Sequence, residues 1–278
     1  MKTLTLEPRL TDKEADALKG ETLTDDSYDT LIDEDRDAPI LTDNRGVASG
    51  KLTPADIRPD ITGAAFGHAE GFRVRSLKKD GTLSKTNRIR KVRSNTAGFM
   101  DRSVRFPYCR MTKWTSDNYP KFQSSLPFFE ACSDVFRDVQ PSRWEKQYRE
   151  AEQTHPDFRI GTTPFTTITI NKNWQTAVHK DKGDYPEGFG VMTAMWAGKG
   201  DGLHLVFPQY KVAVRIRTTD LILADVHEWH GNSPATGVLG QYERLSFVLY
   251  LRINMGNCLS AKQELEQAKN LDRKGISR

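Results

Sequence analysis

Short segments with a hydrophobic period of two constrain the fold of this chain more than any other feature. Residues 165–171 and 211–217 alternate, as expected for strands with two distinct faces. Residues 220–225 and 244–251 are apolar runs of strand length. Gly and Pro turns separate these segments. The pattern predicts a mainly β fold with supporting helices, whose core over residues 160–255 is a double-stranded β-helix of the jelly-roll or cupin-like type.

Two further expectations concern packing. In residues 211–217 we expect Val212, Val214 and Ile216 to point inward. Residues 113–152 are predicted to be mainly helical and to buttress one sheet through an apolar stripe. The members of this stripe are Phe128, Phe129, Cys132, Val135 and Phe136. Thr11 followed by Glu14 predicts a capped helix near the N-terminus, and Ser260 predicts another near the C-terminus.

Three side chains with the chemistry of metal ligands lie within or beyond these strands. His179 and Asp181 are two residues apart, so on a strand both point to the same face. His230 lies 51 residues after His179 and follows the apolar run at 220–225. Two imidazoles and one carboxylate make the facial triad of Fe(II) oxygenases, which leaves coordination positions open for a co-substrate and for oxygen.

A receptor for a carboxylate follows the triad. Arg244 and Ser246 share one face of their strand, and a guanidinium beside a hydroxyl binds carboxylates well. This predicts that 2-oxoglutarate chelates the metal with its keto-acid end and pairs its far carboxylate with Arg244. Asn171 is a further candidate contact for this co-substrate, and Asn173 for the co-substrate or the substrate. Pairing with backbone is the alternative for both asparagines.

The same segments resemble the TET/JBP dioxygenases, most of all their bacteriophage members. The strong resemblance covers residues 165–173, 176–184, 205–208, 227–232 and 243–246, and a weaker one covers 93–101 and 109–112. It implies Fe(II), 2-oxoglutarate and O2 as cofactors, DNA as partner, and a ferryl species that abstracts hydrogen from a 5-methyl group. His179, Asp181 and His230 match the metal ligands, Arg244 matches the co-substrate arginine, and Asp184 matches a position that contacts the target base.

Two other sets of residues are rivals for the metal-ligand positions. His155 and Asp157 repeat the spacing of the first pair, but a proline separates them and no strand pattern precedes them, so we exclude this copy. His227 is the rival for the third ligand. We prefer His230 because it directly precedes Gly-Asn, where the family's ligand falls. His227 then becomes a candidate to orient a ligand or to contact the substrate.

The target base is expected to be 5-methylcytosine, converted to 5-hydroxymethylcytosine, because Asp184 can accept from the cytosine amino group. The enzyme alternatives are a thymine hydroxylase of DNA, or a 2-oxoglutarate oxygenase that acts on a protein or a free nucleotide. A DNA-binding module with an inactive barrel is the alternative outside enzymes. A base inside duplex DNA cannot reach the mouth of a barrel, so we expect it to be flipped out.

Changes in composition along the chain divide it into three parts. They predict an acidic N-terminal extension over 1–60, a dioxygenase domain over 61–258, and a C-terminal helix or tail over 259–278. The extension is expected either to stay mobile or to dock as an arm. The basic region at 71–113, including Arg88, Arg90 and Arg93, is predicted to hold the DNA backbone. A solvated basic surface that balances the acidic N-terminus is the alternative.

Composition narrows the location and the partners. The net charge of +4 is too small to predict a nucleic-acid partner by itself. No apolar run approaches the ~18 residues of a membrane span, and the N-terminus lacks the apolar core of a signal peptide. Cys109, Cys132 and Cys258 are widely spaced and predict neither a disulfide nor a zinc site. We therefore expect no membrane partner and a cytoplasmic location, in the host cell if the chain is phage-encoded.

Overall fold

The structure is a computed structural model that describes residues 2–4, 6–33, 39–41, 47–51, 72–74, 90–92, 94–238 and 241–273. Its strands are β1 (Lys2–Leu4), β2 (Thr30–Ile32), β3 (Pro39–Leu41), β4 (Val47–Lys51), β5 (Phe72–Val74), β6 (Arg90–Val92), β7 (Ser94–Met100), β8 (Arg110–Met111), β9 (Thr167–Lys172), β10 (Gly190–Gly198), β11 (Asp201–Gly202), β12 (Leu205–Phe207), β13 (Val212–Val214), β14 (Asp220–Ala224), β15 (Gly231–Asn232), β16 (Ala235–Thr236) and β17 (Tyr242–Tyr250). Its helices are α1 (Asp12–Ala17), α2 (Lys113–Asp117), α3 (Tyr119–Ser124), α4 (Leu126–Val139), α5 (Pro141–Glu152) and α6 (Ala261–Arg273).

Two sheets form the body of the molecule. The larger has seven strands in the order β4-β14-β10-β17-β9-β7-β8, and the smaller has four in the order β15-β12-β13-β2. Strands of both sheets contribute residues to the wall of one cavity, which therefore lies between them. The predicted double-stranded β-helix is confirmed.

Strand β17 shows how the alternating pattern produces a core on one face and a site on the other. The odd-numbered side chains from Leu245 to Leu249 belong to the main hydrophobic core, where the ring of Phe247 lies 5.1 Å from that of Phe128. The even-numbered side chains from Arg244 to Tyr250 line the cavity. A one-residue slip in register would exchange these two faces, so burial of the odd-numbered set fixes where Arg244 points.

The helices cover the core side of the larger sheet, as predicted. Phe128, Phe129, Cys132 and Phe136 of α4 are fully buried, and Val135 packs against the same core at partial exposure. Each buried phenylalanine contributes about 1.5–3 kcal/mol through burial. Among the described helices, none combines the length and the apolar composition that crossing a bilayer requires.

The N-terminal segment is an arm that docks on the barrel. Its strand β2 pairs with β13 at the edge of the smaller sheet, and β4 pairs with β14 at the edge of the larger one. The predicted cap of α1 is present, with reciprocal hydrogen bonds between Thr11 and Glu14. Of the two alternatives for this segment, the structure shows the docked one for the residues that it describes.

The strand predicted at 211–217 is shorter than expected, and both of its faces are buried. The arm explains the burial of the second face. The ladder of β13 ends at Val214, and Ala213 is as buried as its neighbours Val212 and Val214. Ala213 packs in a second core with Leu23 of the arm, whereas Val214 and Ile216 pack between the sheets. Both faces of this segment are therefore buried. One face packs between the two sheets, and the arm covers the other.

The prediction that the cysteines form no disulfide is wrong. Cys109 and Cys258 form a disulfide with a Cα–Cα distance of 5.7 Å, although 149 residues separate them in sequence. The fold brings the start of β8 beside the start of α6, and spacing along the chain gives no sign of this. Cys132 is buried and takes no part in a disulfide among the described residues. The cysteines therefore do not support the predicted reducing compartment.

Candidate active site

The structure brings His179, Asp181 and His230 together. One ligand atom from each lies within 4.8 Å of the others. The Nε2 atom of His179 is 3.5 Å from one carboxylate oxygen of Asp181, and the Nε2 atom of His230 is 3.8 Å from the other. The donor set of two imidazole nitrogens and a carboxylate is the one that Fe(II) oxygenases use. The rejected pair, His155 and Asp157, lies apart in an exposed turn.

Backbone pairing fixes the three side chains. His179 and His230 exchange both of their backbone hydrogen bonds, with N···O distances of 2.9 and 3.0 Å. The N–H of Asp181 donates to the carbonyl of Val226 at 3.0 Å. The expected regular strand through His179 and Asp181 is absent from this described segment, since a single bridge takes its place. Both side chains still point to one centre, because the bridge to His230 holds the backbone of His179 and the hydrogen bond to Val226 holds that of Asp181.

Each histidine is oriented by its second ring nitrogen. The Nδ1 atom of His179 lies 2.9 Å from the carbonyl oxygen of Ala177, and that of His230 lies 2.9 Å from the carbonyl oxygen of Glu228. A carbonyl can only accept, so Nδ1 carries the proton and Nε2 keeps its lone pair for a metal. Burial and the neighbouring His179 lower the pKa of His230 to about 4, which keeps its imidazole neutral.

The docked arm braces both histidines from behind. The N–H of Gly20 donates to the carbonyl of Val178, and the N–H of Val178 donates to the carbonyl of Glu21, at 2.8 and 2.9 Å. Next to His230, the indole N–H of Trp229 donates to Asp16 of α1 at 2.8 Å. The residues directly before both histidines are therefore tied to the arm.

A cavity of about 260 Å³ holds the triad, and Arg244 lines its wall. This side chain is 3% exposed, and burial lowers its pKa to about 10. Its Nε atom has no hydrogen-bond partner among the described residues, and its guanidinium lies 5.6 Å from the Trp196 ring. A buried cation without a counter-ion is unfavourable, so its environment suits an anionic ligand. The residues present thus fit Fe(II) and a dicarboxylate co-substrate.

The other residues predicted around Arg244 separate into two groups. Asn171 and Ser246 are paired across β9 and β17 and both line the cavity. Asn173 takes a left-handed backbone with φ of 46°, and its side-chain oxygen accepts from the backbone N–H of Arg244 at 2.6 Å. The structure thus shows the backbone-pairing alternative for Asn173, which holds the strand of Arg244 and is not part of the cavity wall.

Asp184 lines the cavity at the end opposite Arg244. The segment that carries His179 and Asp181 begins at Asn173, whose backbone N–H donates to the carbonyl of Arg244. It reaches Asp184, whose backbone pairs with that of Arg252. Arg244 and Arg252 are eight residues apart, which is ~27 Å of extended chain. Burial and the charge of Asp181 raise the pKa of Asp184 to about 7.

His227 stands behind this end of the cavity. Its Nδ1 atom lies 2.9 Å from a carboxylate oxygen of Asp225, and its Nε2 atom lies 3.3 Å from the carbonyl oxygen of Asp184. It is not among the residues of the cavity wall, and the metal cluster contains His230 instead. Its contacts position the backbone of Asp184.

Several residues of the cavity wall were not predicted from the sequence. Tyr250 follows Arg244 and Ser246 on the same face of β17, so strand parity could have identified it. Thr193 contributes a buried hydroxyl that has no hydrogen-bond partner among the described residues, and no sequence signal marks it. Arg252 lies just beyond β17. Of the basic residues predicted to contact DNA, Arg88 and Arg93 and the side chain of Arg90 lie outside the described residues.

Comparison with known proteins agrees with this geometry. Thymine dioxygenase JBP1 of Trypanosoma brucei brucei is 32% identical over 167 residues, which are 58% of this chain and 19% of that protein. Thymine dioxygenase JBP1-B of Trypanosoma cruzi is 28% identical over 254 residues, which are 88% of this chain and 29% of that protein. This chain therefore spans less than a third of the length of these relatives.

A solved structure shares the fold. NgTET1 in complex with 5mC DNA superposes with a TM-score of 0.59 at 13% sequence identity, covering 91% of this chain and 89% of that chain. The model of the Tet_JBP family, described as the oxygenase domain of the 2OGFeDO superfamily, matches residues 97–253, which is more than half of the chain. The chain belongs to the Tet_JBP family of oxygenases, as the sequence motifs predicted.

Proposed function

We propose that the protein is an Fe(II)- and 2-oxoglutarate-dependent dioxygenase that hydroxylates the 5-methyl group of a pyrimidine in DNA. The observation that carries this proposal is the placement in one cavity of a three-ligand cluster and of a buried Arg244, whose Nε has no hydrogen-bond partner among the described residues. His179, Asp181 and His230 would hold the iron. When bound, Fe(II) with 2-oxoglutarate and O2 would supply the oxidant that converts a C–H bond of the methyl group to an alcohol, while 2-oxoglutarate is oxidised to succinate and carbon dioxide.

The side chains of the cavity would bind and orient the co-substrate and exclude water from the site. Arg244 would pair with the far carboxylate of the co-substrate, and Ser246 and Asn171 stand on the same wall to donate further hydrogen bonds. Met192, Leu205 and Val248 line the cavity with apolar surface, which excludes water from the reacting groups. The backbone bridge between His179 and His230 holds these two side chains in position before a metal or co-substrate binds.

The opposite end of the cavity would receive the base. Asp184 is a candidate contact for the exocyclic amino group of cytosine, because an ionised carboxylate accepts from that donor. Its pKa of about 7 places both protonation states within reach near neutral pH. We propose 5-methylcytosine as the first candidate base, with 5-hydroxymethylcytosine as its product. The base would leave the duplex to reach this depth, by flipping about its backbone.

Thymine in DNA is the second candidate. The relatives of this chain are thymine dioxygenases by name, which favours this base. Protonated Asp184 would donate to a carbonyl oxygen, and Arg252 contributes N–H donors on the same wall. The two candidates differ only in the polar edge of the base, and the methyl group occupies the same position in both.

One experiment tests the activity and separates the two bases. Two duplexes of the same sequence, one with 5-methylcytosine and one with cytosine, are incubated with protein, Fe(II) and 2-oxoglutarate and digested for nucleoside mass spectrometry. 5-Hydroxymethylcytosine from the methylated duplex alone supports the first candidate. 5-Hydroxymethyluracil from both duplexes supports the second. Absence of both products in the wild type, with the Asp181→Ala variant as the blank, contradicts the proposal.

A further inference from the structure

A loop beside the cavity carries an apolar side chain at its tip. Ser103 donates its backbone N–H to the carbonyl of Phe106 at 2.8 Å, and the N–H of Phe106 donates to the Ser103 hydroxyl at 3.1 Å. These bonds close a four-residue turn with Val104 and Arg105 at its tip. Val104 is 106% exposed, so its side chain has no cover within the described part of the chain.

The loop is joined directly to the wall of the cavity. Arg252 lines the cavity, and its Nε donates to a carboxylate oxygen of Asp101 at 2.6 Å. Arg110 donates to the carbonyl of Asp101 at 3.3 Å. Val104 is three residues after Asp101, so the tip of the loop lies at most ~10 Å from that residue. The turn therefore stands at the same end of the cavity as Asp184.

The ends of the loop are held by one buried carboxylate. Glu264 of α6 is 1% exposed; one of its oxygens accepts from Arg102 at 2.7 Å and the other from the backbone N–H of Cys109 at 2.9 Å. Gln267 of the same helix donates to the carbonyl of Pro107 at 3.2 Å. The disulfide of Cys109 fixes the same end. Because both ends of the loop are held, its tip can contact a partner while the loop keeps its conformation.

Two cations lie next to Phe106, the last residue of the turn. The guanidinium of Arg110 lies 4.1 Å from the centre of the Phe106 ring, and that of Arg105 lies 5.1 Å from it. Among the described residues, neither arginine forms an ion pair with a carboxylate. The phosphates of DNA carry one negative charge per ~3.4 Å along each strand, which suits two closely spaced cations.

We propose that residues 102–110 engage duplex DNA and that Val104 enters the base stack beside the target as it is flipped out. This deepens the proposed function, on which it rests. Exposed apolar side chains that insert between bases unstack them, and the cations at the same site hold the phosphates on either side. The end of the cavity with Asp184 lies beside the loop, so the displaced base would have a short path into it.

The test uses the 278-residue chain without Fe(II), because opening of the duplex does not need turnover. Duplex DNA carries 2-aminopurine beside the target base, and its fluorescence rises when neighbouring bases unstack. Wild-type protein is expected to raise the fluorescence, and Val104→Ser to lose most of that rise while still binding the duplex. Val238→Ser is the matched control, since Val238 is 61% exposed and lies before β17, at the end away from Arg252.

Binding by anisotropy at several salt concentrations provides the second measurement. Arg105→Ala is expected to weaken duplex binding and to reduce the salt slope by about one. The inference is overturned if Val104→Ser gives the full wild-type fluorescence rise, or if wild-type protein gives no rise at all. Turnover of the same duplexes with Fe(II) and 2-oxoglutarate tests the proposed function separately. Products without a fluorescence rise refute only the role proposed for residues 102–110. A fluorescence rise without products refutes only the oxygenase activity.

Discussion

Replacing Arg244 with methionine should produce two opposite effects. In the ligand-free protein, burial lowers the pKa of Arg244 from 12.5 to about 10, which corresponds to roughly 3 kcal/mol against the charged form. The contact with Trp196 returns about 1–2 kcal/mol of this. Methionine is apolar, unbranched and similar in length. Arg244→Met is therefore expected to leave the free energy of unfolding unchanged or to raise it by up to ~2 kcal/mol.

Binding of the co-substrate should respond in the opposite direction. A charge-assisted hydrogen bond contributes about 1.5–3 kcal/mol, and a guanidinium can form two with one carboxylate. Loss of both corresponds to a rise in the Kd for 2-oxoglutarate of about 10² to 10⁴. Iron binding should persist, because Arg244 is not part of the metal cluster.

The assay combines urea denaturation of metal-free protein with anaerobic calorimetry of 2-oxoglutarate binding to the Fe(II)-loaded protein. Arg252→Met is the matched control, because it removes a cavity arginine from the opposite end and should not change the Kd for 2-oxoglutarate. The reasoning is refuted if Arg244→Met loses more than ~2 kcal/mol of stability while its co-substrate affinity stays at the wild-type value. That result would make Arg244 a structural cation.

Three further changes test other contacts. Asp181→Ala should weaken Fe(II) binding more than about a hundredfold in an anaerobic titration, since even groups behind a ligand contribute 10- to 100-fold; an unchanged affinity would remove Asp181 from the site. Asp16→Ala loses the bond from Trp229 and should lower the unfolding free energy by about 1–3 kcal/mol in urea melts, and an unaltered midpoint would show that the arm does not brace His230. Burial acts to raise the pKa of Glu264, but donors including the Leu259 N–H and Arg102 lower it overall from 4.5. The stabilisation by the Glu264 carboxylate is therefore complete above pH 4.5 and lost as the pH falls through the lower folded pKa. Glu264→Gln should accordingly flatten the acid limb of a plot of unfolding free energy against pH. A variant curve parallel to that of the wild type would contradict this.

The barrel and the shared direction of His179 and Asp181 were predictable because both depend on local periodicity, whereas the choice of His230 over His227 came from the family resemblance. Alternation along β17 placed Arg244 and Ser246 on one face, and burial of Phe247 on the other face enforces that register. The ligands His179 and Asp181 project to one centre at the spacing of extended chain. Their sequence neighbours did not reveal that a single bridge to His230 replaces a regular strand.

Features that depend on distant contacts were not predictable. The arm looks polar in sequence, yet a few residues such as Ala15 and Leu23 fill the second core and cover both histidine segments from behind. The pairing of Cys109 with Cys258 requires knowing where α6 lies. Asn173 was a candidate ligand contact because its type suits one, but its left-handed backbone turns its side chain onto the strand of Arg244.

The most direct test of the central claim follows the oxygen atom. Protein, Fe(II), 2-oxoglutarate and methylated duplex DNA are combined under isotopically heavy O2, and the nucleosides and organic acids are weighed by mass spectrometry. The account predicts one heavy oxygen in the new hydroxymethyl group, one in succinate, and neither product with Asp181→Ala. Succinate formation that does not depend on DNA, with no labelled nucleoside from any 5-methylpyrimidine, would contradict it.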